Sequence, residues 1–295
     1  MANVRWVAAA ALAALAAPAI IHAQGRPKQI YIRVTDAGGA PVTGLAASDF
    51  DVREGGAPRT VTGAAPASSV MRIALLVDNG PLVGPIIKDL RAALAAFFDE
   101  VPPRHEILFA TLGRRFEVRV PVTDDYTKLK KSADILLAER DGGTYLLEGV
   151  VEADDRYFRK AIDRRPVMVI VTTDNADPSR LRQEVLNRRF NEIYDRGVLV
   201  HAVVITHPGE DGNERDVCIN LTQSTNGHLD IVSATGAALP DKLKGIAARL
   251  AESHRQMSAE YRIAFLSEAS TPQPIEIKVS RPGVKIEFSA QRSRN

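Results

Sequence analysis

The stretch Met71-Arg72-Ile73-Ala74-Leu75-Leu76-Val77-Asp78-Asn79-Gly80-Pro81 decides the fold. An apolar run ends in a carboxylate, a short turn follows, and Pro81 can open a helix because the first helical position needs no N–H. After it, Leu82, Val83, Ile86, Ile87, Leu90, Leu94, Phe97 and Val101 recur at helical spacing. Strand followed by helix is the unit of an open α/β sheet, where ligands bind beyond the carboxyl ends of the strands. A site is therefore expected around Asp78. Two other segments are expected to converge on it: Gly142-Gly143-Thr144, and Thr172-Thr173-Asp174 at the end of a second apolar run, Pro166 to Val171.

Outward from this stretch the alternation of strands and helices continues. Strands are expected at His105 to Thr111, Arg115 to Val120 and Gly197 to Ile205. Helices are expected at Lys128 to Ala138, Tyr145 to Ile162, Arg180 to Asp195 and Leu239 to about His254, with His207 to Arg215 as a polar loop. The expectation is a doubly wound, mostly parallel α/β sheet over 70–256. On both sides the period falls to two. Ile30, Ile32 and Val34 share one face, Val42 to Leu45 and Phe50 to Glu54 follow, and Arg59 to Thr62 completes an N-terminal β segment, 28–65. A C-terminal β segment, 259–290, holds Tyr261 to Leu266, Pro274 to Val279 and Val284 to Phe288. Each is too small to bury a core alone, so one sandwich-like β domain assembled from both is expected. Residues 64–69 read as a linker by composition.

Residues 1–23 read as a cleavable signal peptide: Arg5 near the start, a continuous apolar run from Trp6 to Ala17, Pro18, and a small residue at Ala23. The run is shorter than a spanning helix needs, and no later stretch is apolar enough to span a bilayer. An exported protein, periplasmic, cell-surface or extracellular, is expected. Cys218 is the sole cysteine, so no internal disulfide is possible. Its apolar neighbours suggest burial, and an exposed dimerising thiol is the alternative. A net charge of +2 in 295 residues gives no nucleic-acid footprint. The basic run Arg159 to Arg165 reads as a solvated helix end. No G-x-S-x-G elbow or phosphate loop is present, and the histidines do not fall at metal-ligand spacing. His201, among apolar strand residues, reads as a satisfied core histidine.

Taken in order, Ile73 to Asp78, Gly142-Gly143-Thr144 and Val169 to Asp174 resemble a von Willebrand factor A (VWA) domain. Thr225-Asn226-Gly227-His228 resembles the family's late threonine-glycine-glycine turn. Glu260-Tyr261-Arg262-Ile263 and Val279 to Lys285 resemble the C-terminal strands of the bacterial exported VWFA-related proteins. The resemblance implies a metal-ion-dependent adhesion site built from Asp-x-Ser-x-Ser, a threonine and a late aspartate. Asp78, Thr144 and Asp174 match three of these positions, while Gly80 and Leu82 stand where the two serines belong. Hard divalent cations such as Mg²⁺ take oxygen ligands, so the site is expected to be degenerate. Asn79, Asn175 and Asp177 are nearby oxygen donors, and Asn79, Gly80, Leu82, Gly143, Asn175 and Asp177 form the expected ligand-binding face. The alternative for Asp78, Thr144 and Asp174 is a turn or capping role.

The leading functional expectation is a non-enzymatic binding module for a protein or peptide partner. The alternatives are an envelope-assembly protein acting through its β domain without metal, and a metal-dependent hydrolase.

Overall fold

The computed structural model describes residues 25–67, 70–209 and 212–289. The expected leader, 1–23, lies outside the described residues. The chain begins with β1 (Arg26–Thr35), β2 (Phe50–Glu54), β3 (Ala57–Arg59) and β4 (Val61–Pro66). Then come β5 (Met71–Val77), α1 (Ile87–Glu100), β6 (Glu106–Thr111), β7 (Glu117–Thr123), α2 (Tyr126–Asp134) and α3 (Leu146–Ala153). These are followed by β8 (Arg165–Thr173), α4 (Gln183–Asp195), β9 (Leu199–Thr206), α5 (Glu214–Ser224), β10 (Leu229–Ser233) and α6 (Leu239–Gln256). The last strands are β11 (Glu260–Ser267), β12 (Ile275–Val279) and β13 (Lys285–Phe288).

The central sheet has the order β10-β9-β8-β5-β6-β7, parallel throughout except for β7. The apolar runs of β5 and β8 are continuous because both faces are covered. Ile73, Leu75 and Val77 pack with residues of α1 and α6, while Ala74 and Leu76 pack with residues of α3, α4 and α5. From β5 the chain moves to β6 on one side and later returns through β8 on the other. The switch point of the sheet therefore lies between β5 and β8. This is where such sheets open a crevice at the strand ends.

Strands from both chain ends interleave in the β region. One sheet runs β13-β1-β11-β4, the other β12-β2-β3. Between them lies a core of Ile30, Ile32, Phe50, Val52, Tyr261, Ile263 and Phe265. The seam with the α/β region is held by polar and aromatic contacts. Arg165 lies 3.7 Å from the ring centroid of Tyr31, and its Nη1 donates to the Gly197 carbonyl at 3.1 Å. The buried Lys28 joins Glu54 at 2.7 Å and Asp195, at the end of α4, at 3.2 Å.

Several expectations are corrected. Val42 to Leu45 is not a strand: the Tyr261 hydroxyl ties it down, donating to the Val42 carbonyl and accepting from the Leu45 N–H. Ala64, Ala65 and Pro66 are not linker but the end of β4, paired in that order with Ile263, Arg262 and Tyr261 of β11. The helix expected to reach Ile162 ends at Ala153 and passes into a wider turn over Asp154–Phe158. The basic run is not all solvated, since Arg165 is buried and begins β8. Helix α5 and strand β10 had no counterpart in the sequence reading. Cys218 is fully buried, which removes the exposed-thiol alternative.

Candidate functional site

Register in the parallel sheet brings the expected residues together. Val77 pairs with Val171 in β8, and Thr173 pairs with Ile205 in β9. Two further backbone bonds extend these ladders: the Asp78 N–H donates to the Val171 carbonyl at 2.7 Å, and the Asp174 N–H to the Ile205 carbonyl at 2.8 Å. Both carboxylates thus sit at the switch point, and both are buried, as is Thr144.

Asp78 is saturated with protein donors. Its Oδ1 accepts the Gly80 N–H at 2.6 Å. Its Oδ2 accepts the Thr144 hydroxyl at 2.8 Å, the Thr173 hydroxyl at 2.5 Å and the Thr173 N–H at 3.3 Å. Asp174 is also occupied at both oxygens. Oδ1 accepts the Arg215 N–H at 3.2 Å, and the Arg215 guanidinium lies 3.5 Å from Oδ2. The guanidinium is the exposed partner in that pair, with 41% of the Arg215 side chain accessible.

The other expected face residues serve the loops. Asn79 Oδ1 accepts the Gly113 N–H and its Nδ2 donates to the Leu137 carbonyl, which joins three loops at the strand ends. Asp177 Oδ2 accepts the Leu147 N–H at the start of α3, and its Oδ1 accepts the Ser179 N–H. Its role is to cap α3 and fix its own turn. Asn175 accepts the N–H of Ala176. Gly143 lies against Pro178, while Gly80 backs onto Asp78 and the Gly143 carbonyl. Leu82, in the 3₁₀ turn Pro81–Ile86, is half-buried and has no side-chain oxygen.

Two members of this cluster were not singled out from the sequence. Thr173 donates twice to Asp78, and only its place beside Asp174 could have suggested it. Glu214 is fully buried at the start of α5, with the Thr172 hydroxyl donating to its Oε2 at 2.5 Å and no partner on Oε1. Burial pushes its pKa up to about 10; the Thr172 hydrogen bond opposes this, and the negative charges of Asp78, Asp177 and Asp174 add to it. Glu214 is therefore a neutral carboxylic acid at pH 7. Nothing in Gly-Asn-Glu-Arg-Asp marks that burial, because it arises from α5 packing against β8 and β9.

The structure of a von Willebrand factor type A protein from Catenulispora acidiphila is similar over 92% of this chain and 74% of its own, with a TM-score of 0.53 at 13% identity. The chain has the von Willebrand factor A fold. BatB from Bacteroides thetaiotaomicron matches over 62% of this chain and 99% of its own, with a TM-score of 0.49 at 11% identity. The SpRpn10 VWA domain matches over 58% and 92%, with a TM-score of 0.46 at 17% identity. No protein-family model and no curated protein matches the sequence. The six-stranded sheet flanked by helices matches that fold, and further antiparallel strands accompany it. Among the described residues, no helix is long and apolar enough to cross a membrane.

Proposed function

We propose that this chain is an exported, non-enzymatic protein-binding module whose sheet-end site is a degenerate, metal-independent form of the VWA adhesion site. One observation carries the reading: both carboxylate oxygens of Asp78 and both of Asp174 already have protein partners. The residues do not fit a resident divalent cation. Such an ion needs free oxygens in near-octahedral array, and Gly80 and Leu82 contribute none. Arg215 supplies the positive charge that Asp174 would otherwise take from a metal.

The same geometry supports a non-enzymatic role. Among the described residues, His105 and His201 accept backbone N–H groups and His228 pairs with Asp230; no histidine bonds a serine, threonine or cysteine hydroxyl or thiol. A nucleophile–base pair would need that contact. The surface for a protein or peptide partner is the rim above the buried acids. It carries the half-exposed Arg215, and Leu137, 69% exposed on the loop held by Asn79. An apolar and cationic rim suits a partner with apolar and acidic side chains.

The scaffold alternative, assembly through sheet edges, draws less support. Edge strands β12 and β13 carry Glu276, Lys278, Lys285 and Glu287, and β3 and β4 carry Pro58 and Pro66. Charges and prolines on edges oppose strand addition.

The test is capture of partners from the envelope fraction of the source cell by wild-type, Asp174→Ala and Arg215→Ala proteins, each with Mg²⁺ or EDTA. Wild-type binding should survive EDTA and be lost in both variants. Binding that requires Mg²⁺ would overturn the metal-independent reading, and binding indifferent to both substitutions would move the partner surface elsewhere.

A further inference from the structure

Where α4 and α5 end, a cavity of about 440 Å³ opens in the seam between the α/β region and the β strands. Its size is that of a small-molecule site, about 300–1,000 Å³. Four pieces of chain meet around it. Asn220, Gln223 and Ser224 stand at i, i+3 and i+4 on α5 and so share one helix face. Tyr194 and Asp195 come from the end of α4, and the buried Lys28 and Ile275 from the starts of β1 and β12. Pro272, Gln273 and Pro274 complete the wall. That loop is held in place. The Gly55 N–H donates to the Pro274 carbonyl at 2.8 Å, Gln273 Nε2 donates to Thr271 Oγ1 at 3.1 Å, and the Gln273 side chain lies over Gly55. The two prolines fix the backbone on either side of Gln273.

The lining is polar and its charges cancel. Lys28 and Asp195 are its only charged side chains, and they pair at 3.2 Å. Lys28 also donates to Glu54 at 2.7 Å, which leaves the third N–H of its ammonium uncommitted. The carboxamides of Asn220 and Gln223, the Ser224 hydroxyl and Oε1 of Gln273 have no protein partner among the described residues. Asn220, Gln223 and Gln273 are exposed, so a ligand can reach them. An anion here would meet the Asp195 carboxylate and no free cation to balance it. A cation would meet Lys28. An uncharged ligand rich in hydroxyls meets neither conflict. A carboxamide both donates and accepts, as does a hydroxyl, so each amide can exchange two hydrogen bonds with neighbouring hydroxyls. Tyr194, Pro272 and Pro274 add ring carbon against which the C–H face of a sugar packs.

We propose that this cavity is a binding site for a short uncharged saccharide. The amides of Asn220 and Gln223 on α5 and the Gln273 carbonyl on the proline loop hold its hydroxyls. Asp195 accepts from one more, and the spare N–H of Lys28 donates to a sugar oxygen. A cavity bounded by α5 and the proline loop favours a sugar over an extended peptide, whose run of backbone groups needs a longer groove. The site shares no residue with the sheet-end aspartates and does not depend on their role.

The experiment is saturation-transfer NMR of the protein with cellobiose, maltose and N,N′-diacetylchitobiose, and with a capped glycine–serine peptide. At least one sugar should bind saturably with a millimolar or tighter Kd, and an excess of glucuronate should not displace it. Asn220→Ala combined with Gln223→Ala, on an exposed helix face, should weaken that sugar by about tenfold or more and leave the melting temperature unchanged. Gln273→Ala should weaken it from the other wall. Absence of saturable binding by all three sugars at about 10 mM would overturn the proposal. So would displacement by glucuronate, binding of the peptide in place of the sugars, or a double variant with wild-type affinity.

Discussion

The two ends of the central sheet handle their buried polar groups differently, although Glu214 Oε1 in the carboxyl-end cluster is also without a partner. At the carboxyl ends of β5 and β8, Asp78 and Asp174 have partners on every carboxylate oxygen, supplied by Gly80, Thr144, Thr173 and Arg215. At the other end, Arg33, His201, Ser289 and Glu260 each leave a buried atom without a hydrogen bond, Glu260 Oε2 having only the Arg165 guanidinium at 3.7 Å. A closed network of this kind rigidifies the loops that join it and has little capacity left for an ion. Buried atoms left without a hydrogen bond carry a desolvation cost that the rest of the fold must offset. The carboxyl-end aspartates are thus held by the protein itself, while the seam with the β strands carries several buried atoms that no protein group satisfies.

The contrast can be broken most severely at Asp78. Asp78→Ala strands two hydroxyls and two N–H groups in a buried site and should cost about 3–5 kcal/mol of unfolding free energy in urea. A loss under about 1 kcal/mol would mean the network is not closed in solution.

Glu214 gives the next largest effect and a sign to check. Its ordinary value is 4.5 and its folded value is about 10, so between these the folded chain holds a proton that the unfolded chain has released. Stability should therefore fall as pH rises through that window, by up to about 1.4 kcal/mol per pH unit from this group. Glu214→Gln keeps the neutral shape and should remove that part of the slope. Denaturation midpoints at pH 6, 7 and 8 for the two proteins give the comparison, and parallel slopes would contradict a protonated Glu214.

Arg215→Ala opens the closed end. Wild-type melting should not respond to Mn²⁺, whereas the variant should gain about 1 kcal/mol when the ion is several-fold above its Kd. An Mn²⁺ response in the wild type would show that Arg215 does not stand in for a cation. The smallest expected effect lies at the open end. Arg249→Ala should change stability by less than about 0.5 kcal/mol, since the side chain is exposed. A larger loss would assign Arg249 a structural role.

The A domain was legible because its signals are local. β5 and β8 are covered on both faces and so read as unbroken apolar runs, and Asp78 and Asp174 end them. What escaped depends on contacts distant in sequence. Ala64 to Pro66 offers little side-chain pattern and becomes strand only through β11. Helix α5 begins among polar residues, so Glu214 gave no sign of burial. The pairing of Asp174 with Arg215 spans 41 residues, and no spacing rule anticipates it. His201, expected to be satisfied, has a partner only on Nδ1, and its Nε2 is buried without one.

The strand order β13-β1-β11-β4 also constrains the order of folding. β1, at Arg26–Thr35, pairs with Glu260–Ser267 on one side and Lys285–Phe288 on the other. A chain made or threaded from its N-terminus must therefore hold β1 unpaired until more than two hundred later residues have emerged. Contacts this remote slow folding and leave apolar strand surface exposed meanwhile. The A domain can collapse on its own local pairings first, so refolding should proceed in two phases, with the β layer and the seam cavity completed last.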